Sequence, residues 1–455
     1  MTNSNSDAQY IKMTKTPVPS LIVKLSIPTI ISMMVTTIYN MVDQAFIGQL
    51  GTSASGAVGI VFGYMAILQA VGFLFGQGAG STLSRALGKK DKKEANIIAA
   101  TGFYSALIVS SLVAVISFIF LDKLVRILGS TETIAPYAKT YITYILISAP
   151  FIVSSFSMNN FLRYEGRASL GMVGLLTGAV LNIAGDPIFM FGFKMGIAGA
   201  GLSTCLSQII SFLILLSFFI SGKTQCSLSI KNFSWNLKRI GDITATGLPS
   251  LLRQALQSIS TIILNVVASP YGDAAIAALS IVSRITFFIF SVALGIAQGF
   301  QPVCAFNYGA GKNTRVREAF WFAYKYAQIC ITIVTIGVLI FNKQIVVLFR
   351  DDPEVINIAI GALFLQALTQ LCSPFCTMTE MALQTTGHKF FASLLSSLKS
   401  GIIFIPVLYI LCYFRGLNGI VESQPVANIL MLIPSVILSV WFLKNLPRTD
   451  MEPNK

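Results

Sequence analysis

Apolar runs of membrane-crossing length recur along almost the whole chain, separated by short polar stretches. A helix needs about 20 apolar residues to cross the hydrocarbon core of a bilayer. The runs predict twelve helices, at roughly 20–46, 54–77, 94–120, 136–160, 169–191, 196–221, 240–268, 274–302, 317–342, 354–383, 391–412 and 417–443. The expected fold class is therefore an all-α polytopic membrane protein with twelve transmembrane helices. The first twenty residues are polar and end at Pro17-Val-Pro-Ser20. They lack the short apolar core and small-residue cleavage site of a signal peptide, so the first run is expected to stay in the protein.

The same pattern appears as internal duplication. Shifting the first half by 221 residues lays Pro28 on Pro249, Gly51 on Gly272, Gln77 on Gln298, Gly88 on Gly309 and Gly166 on Gly387. With small gaps, Pro150 meets Pro374, Pro187 meets Pro406, and Gly196 and Gly199 meet Gly416 and Gly419. Six helices per half give both halves one orientation, a parallel repeat about an axis along the membrane normal. The expected organisation is two pseudo-symmetric six-helix lobes. Residues 1–221 form the N-lobe, 222–239 a cytoplasmic linker, and 240–455 the C-lobe with a short tail. The linker mixes basic residues with Phe233, Trp235 and Leu237, which suits either an interfacial segment or a solvated connector.

Composition agrees with the pattern. Of 455 residues 54% are hydrophobic and 11% charged, against about 25% charged in soluble proteins. A formal charge of +14 could suggest nucleic acid, but topology explains it better. Twenty-one Lys and Arg fall in the termini and the alternate loops on one side, from Lys12 and Arg85 to Arg317, Lys444, Arg448 and Lys455. Six fall opposite: Lys123, Arg126, Lys194, Lys343, Arg350 and Arg415. The positive-inside rule then puts both termini in the cytoplasm.

The informative residues are the polar ones inside apolar runs. Asp186 stands before Pro187 in the fifth run, Asn182 one turn earlier on the same face, and Asp43 in the second half of the first run. A carboxylate at bilayer depth costs about 2.5–3.5 kcal/mol on insertion scales and is read as functional by default. Two carboxylates with an amide oxygen make an oxygen-rich pocket that suits Na⁺, or a desolvated carboxyl that carries H⁺. The residues alone leave both open. In the second half Ile405 stands before Pro406, so the scaffold is duplicated and the carboxylate is not. Packing alone gives no reason for that asymmetry.

Other polar residues at depth are Gln254, Arg284, Gln298 and Glu380, the candidates for a substrate cavity. Glu380 either attracts cationic substrates or pairs with Lys389 or Lys399, and Arg253 is expected at headgroup level. Gln77 and Gln298 suit interhelical hydrogen bonding. An enzyme has little support. There is no Walker-type loop, the one histidine (His388) lies in a loop, and the seven cysteines form no CxxC pair. No organic cofactor is expected, and H⁺ or Na⁺ would be the coupling ion.

Several stretches resemble the MATE (multidrug and toxic compound extrusion) transporters, in particular the bacterial MepA-like and DinF-like branch. They are Val42-Asp43-Gln-Ala-Phe-Ile-Gly48, Gly76-Gln-Gly-Ala-Gly80, Asn182-Ile-Ala-Gly-Asp186-Pro187, Gly247-Leu-Pro249-Ser-Leu-Leu-Arg253-Gln254, Gln384-Thr-Thr-Gly387 and Phe404-Ile-Pro406. The resemblance implies secondary active export of organic cations or amphipathic compounds by a monomer in the lipid bilayer, in exchange for H⁺ or Na⁺. It also implies an N-lobe cation site of Asp43, Asn182, Asp186 and Thr204, with Tyr141 and Asn159 in its hydrogen-bond network. The chain departs from the pattern at Lys399-Ser-Gly401, where Arg-Gln-Gly is expected, and at Asn428, where aspartate is frequent. A flippase for lipid-linked precursors is the alternative. It would call for a strongly cationic cavity, against which Asp43, Asp186 and Glu380 argue.

Overall fold

A computed structural model describes residues 2–350 and 352–450, so Lys455 and the end of the expected C-lobe lie outside the described residues. In chain order the helices are α1 (Thr2–Lys15), α2 (Val18–Gly48), α3 (Thr52–Gly88), α4 (Lys92–Ile119), α5 (Leu121–Ile127), α6 (Ala135–Tyr164), α7 (Ala168–Pro187) and α8 (Ile197–Ile220). After a linker follow α9 (Leu237–Ala268), α10 (Asp273–Gly309), α11 (Asn313–Ile340), α12 (Asn342–Phe349), α13 (Pro353–Thr369), α14 (Ser373–Thr385), α15 (Lys389–Ser397), α16 (Phe404–Leu430) and α17 (Leu432–Asn445). There is no strand among the described residues. A single helix or helix pair fills each pass, as lipid requires when no water can satisfy the backbone.

Eleven helical stretches among the described residues are long and apolar enough to cross a bilayer. The last of them, Lys389–Asn445, holds 57 residues. At 1.5 Å per residue a straight helix of that length would span about 85 Å, well beyond a core of about 30 Å. It is broken at Gly416, with φ 58° and ψ −132°, and so makes two passes. Gly196, its repeat partner, has φ 55° and ψ −131° just before α8. This backbone region is essentially closed to side-chain-bearing residues. Gly51 and Gly272 also share a conformation, with φ 109° and 93°. The duplication read in the sequence is thus a duplication of backbone geometry, and twelve passes result.

The chain forms two compact units. One holds Met1–Lys15 and Ile31–Leu251, the other Thr16–Ile30 and Leu252–Lys455. Both boundaries fall inside helices, in α2 after Ile30 and in α9 after Leu251. These positions are themselves 221 residues apart, the repeat shift.

In the first unit α6 is the central helix, packed along α3, α4 and α8. The start of α9 lies so close to α3 that a Cβ on Gly78 would collide with the Ile243 carbonyl, and one on Gly247 with that of Leu74. Gln77 Oε1 accepts a hydrogen bond from Ser250 Oγ at 2.8 Å across the same crossing. The second unit repeats the device. The Thr29 hydroxyl of α2 donates to the carbonyl of Gly295 in α10 at 2.7 Å.

The linker is strapped to the first unit. Buried Glu165, in the turn after α6, accepts the N–H groups of Gln225 (2.8 Å) and Cys226 (2.9 Å). Tyr104 donates to the carbonyl of Leu228 at 3.1 Å, and Arg239 holds both Glu94 oxygens at 3.0 and 2.9 Å. The Gln9 amide of α1 donates to the Glu165 carbonyl at 2.8 Å.

Candidate functional site

Small residues decide where α7 lies. Gly174, Gly178 and Gly185 let it approach α8 until their Cβ positions would meet Leu215, Ser211 and Ser203. The Ser211 hydroxyl donates to the Gly174 carbonyl at 2.9 Å across this contact. That register sets Asn182 and Asp186 against Ser203 and Thr204. Pro187 has no N–H, so the helical bond to the Ile183 carbonyl is lost and the α-helix ends. The chain continues as a π-helical turn, Ile188–Gly192, a distortion common at functional sites.

Asp186 and Asn182 are 0% and 3% exposed. The Asn182 amide nitrogen donates to Asp186 Oδ1 (3.2 Å) and Thr204 Oγ1 (3.2 Å), and lies 3.4 Å from Ser203 Oγ. Ser203 in turn donates to the Asn182 carbonyl at 3.2 Å. Tyr141 of α6, fully buried, is hydrogen-bonded to the Thr204 side chain. The carboxyl of Asp43 on α2 lies against that of Asp186. Two carboxyl groups in that contact need a proton between them, or a cation in its place, because two bare carboxylates have no donor.

Three buried oxygens here have no hydrogen-bond donor: Asp43 Oδ1, Asn182 Oδ1 and Asp186 Oδ2. Each such oxygen costs roughly 1–3 kcal/mol, more when charged. Hard oxygen donors with lone pairs to spare are what Na⁺ requires, and a carboxyl pair is what H⁺ requires, so the residues fit either ion. Beside Asn182 lies a partly open cleft of about 610 Å³, whose polar lining includes Thr36, Tyr39, Gln69, Ser155, Gln208 and Ser211.

Five of the six residues expected in the cation site are therefore together: Asp43, Tyr141, Asn182, Asp186 and Thr204. Asn159 is not. It packs against Gly171 near the start of α7. It lies 18 residues beyond Tyr141 on α6, about 27 Å along the helix. Sequence reasoning missed Ser203 and Tyr39. Tyr39 was legible, since it precedes Asp43 by four residues and so shares its face.

The second unit carries none of this cluster. The repeat partners of Asp43 and Asp186 are Leu264 and Ile405, and both pack against one apolar cluster that includes Phe404, Leu408 and Ile420. The four cavity candidates are also dispersed. Arg284 is exposed, whereas Gln298 is buried 14 residues further along α10, about 21 Å away. Gln254 is half-buried on α9. Glu380 is sealed in an ion pair with Arg253 at 2.7 Å and accepts the Ser396 hydroxyl at 2.6 Å. Arg253 is thus buried in protein, and Glu380 pairs with it rather than with Lys389 or Lys399. Arg253 and Glu380 satisfy each other where water cannot.

Twelve apolar passes in a duplicated scaffold, with one buried carboxyl pair in a single half, define a membrane transporter and not an enzyme. The MatE family model matches residues 28–188 and 249–410, the bulk of both halves, and the chain belongs to that family. It is 28% identical over 440 residues to the multidrug export protein MepA of Staphylococcus aureus (strain MSSA476), covering 96% of this chain and 97% of that one. It is 27% identical to MepA of Staphylococcus haemolyticus over the same shares. Among solved structures, a MATE transporter in complex with MaL6 superposes with a TM-score of 0.92 at 27% identity, covering 96% of this chain and 99% of that one. An outward-facing multidrug resistance MATE transporter of the MOP superfamily gives 0.91 at 27% identity, with the same coverage.

Proposed function

We propose that the protein is a secondary active multidrug efflux antiporter. It exports organic cations or amphipathic compounds by alternating access, in exchange for H⁺ or Na⁺. Its two lobes follow the halves of the repeat, 1–221 and 240–455. It works as a monomer in the bacterial inner membrane with both termini cytoplasmic. Descent from the family that contains the MepA export proteins supports the efflux reading.

The observation that carries the coupling is the set of three donorless oxygens around the Asp43–Asp186 contact. Without an ion, the site holds polar atoms that no protein donor satisfies. With one proton or one Na⁺, that cost is relieved. An ion gradient therefore acts directly on the stability of one state of this unit, and a bound substrate in the adjoining cleft at Asn182 can compete with it. Asp43, Asn182, Asp186 and Thr204 would hold Na⁺, with Tyr141 orienting Thr204. The lipid-linked alternative lacks a supporting feature in this cleft, whose named lining carries no cation.

The test is efflux of a fluorescent organic cation from proteoliposomes under an imposed pH gradient and, separately, an imposed Na⁺ gradient. The proposal expects efflux driven by at least one of them. Efflux that follows neither gradient would remove the antiport reading.

A further inference from the structure

The linker strap has a second face. Gln225, Cys226 and Leu228 are buried against the first unit, whereas Ile230, Trp235 and Leu237 are 69%, 75% and 83% exposed. The backbone that carries these three is fixed. The Ser227 N–H donates to Asn96 Oδ1 at 2.8 Å and the Ser234 N–H to Thr101 Oγ1 at 3.2 Å, both on α4. Phe233 packs edge-on against Tyr104 of α4, ring centres 5.8 Å apart, and against Trp235 at 4.7 Å. Large apolar side chains held outward in this way mark a surface that something covers.

The place of the strap on α4 decides what covers it. Thr101, Tyr104, Ile108, Leu112 and Val115 recur at spacings of three and four, so they share one face of that helix. Ile108, Leu112 and Val115 are exposed in a membrane-crossing helix, so this face meets lipid, and the strap lies over its first turns. Thr101 is nine residues beyond Lys92, about 14 Å along α4, and the headgroup layer is only about 5–8 Å deep. Phe233 and Trp235 therefore stand at the boundary between headgroups and acyl chains. Charge is a separate observation. From Gly222 to Arg239 the linker holds Lys223, Lys231, Lys238 and Arg239 and no acidic residue. Arg239 is taken up by Glu94, whereas Lys231 and Lys238 are exposed beside Ile230 and Leu237.

We propose that residues 230–238 dock on anionic lipid. Ile230, Trp235 and Leu237 enter the headgroup–acyl boundary, and Lys231 and Lys238 bind the lipid phosphates. The chemistry matches: apolar side chains for the upper acyl chains, and point cations one residue from two of them for the headgroup charge. Trp235 suits the boundary because its ring is apolar and its indole N–H is polar. The strap runs on through Arg239 into α9, so lipid bound here braces the start of that helix just before its close crossing with α3 at Gly247. This lipid site is independent of the ion site and of efflux.

The test uses the full-length protein in phosphatidylcholine vesicles and reads Trp235 as the emission of the parent less that of Trp235→Phe. Lipid brominated near the headgroup end of its acyl chains should quench this emission strongly, and lipid brominated near the chain ends far less. At equal mole fraction, brominated phosphatidylglycerol should quench more than brominated phosphatidylcholine. Lys231→Gln and Lys238→Gln should each lower that preference about fivefold. Emission quenched by aqueous iodide and not by brominated lipid would put this face in water and overturn the site. Equal quenching by the two headgroups, or a preference that survives both glutamine changes, would overturn the anionic-lipid assignment.

Discussion

Asn182 donates its amide nitrogen to the carboxyl of Asp186, one helical turn further along α7, at 3.2 Å. That bond settles which way the amide faces. The nitrogen is used on Asp186 and Thr204, so the Asn182 oxygen is left buried with no donor, as are Asp43 Oδ1 and Asp186 Oδ2. Asn182 thus turns a pair of acids into a three-oxygen site.

Replacing Asn182 with Ala removes the oxygen and both donated bonds while leaving the acids. A lost bond to a charged group costs about 1.5–3 kcal/mol, so the ion should bind roughly ten- to a hundredfold more weakly. The readout is the cation concentration that half-saturates gradient-driven efflux. An unchanged half-saturation would show that the amide is only packing.

The Arg253–Glu380 pair gives a prediction about stability. Both side chains are almost fully buried, at 9% and 1% exposure. Arg253→Ala leaves a sealed, uncompensated carboxylate and should cost about 3–5 kcal/mol, whereas the double change Arg253→Met/Glu380→Leu should cost far less. Thermal melting in detergent separates them. Additive losses in the double variant would mean the two charges are independent.

Much of this was legible in advance, for definable reasons. Helix number, duplication and the pairing of Asp43 with Asp186 follow from apolar length, from glycine and proline register, and from the rarity of acids at depth. Asn159 was misplaced because a resemblance carries residue identity but not the 27 Å of helix that separates it from Tyr141. The Arg253 ion pair was missed because a linear pattern cannot show that Glu380, 127 residues away, faces it. The strap from residue 225 to residue 239 was invisible because its bonds to Glu165, Tyr104 and Glu94 join distant segments, mostly through backbone groups.

That strap has a pH dependence. Burial pushes the Glu165 carboxyl above its ordinary value, and the N–H groups of Gln225 and Cys226 pull it back only in part. An acid whose folded value is raised binds its proton more tightly when folded. Its stabilising contribution is complete below the ordinary carboxylate range and declines as pH rises through the raised value. The melting-temperature advantage of the parent over Glu165→Gln should therefore shrink as pH rises above the ordinary carboxylate range, from about pH 4 upward. An advantage that grows over this window would contradict the sign.

The central claim is that cation movement passes through Asp43 and Asp186. The most direct measurement is substrate-triggered ion flux in proteoliposomes, with a pH-sensitive or Na⁺-sensitive dye in the lumen and an organic cation added outside. The parent protein should show flux of one of the two ions on addition of substrate. Asp43→Asn/Asp186→Asn, inserted at the same level, should show none. Substrate-triggered flux that persists in the double variant would contradict the account.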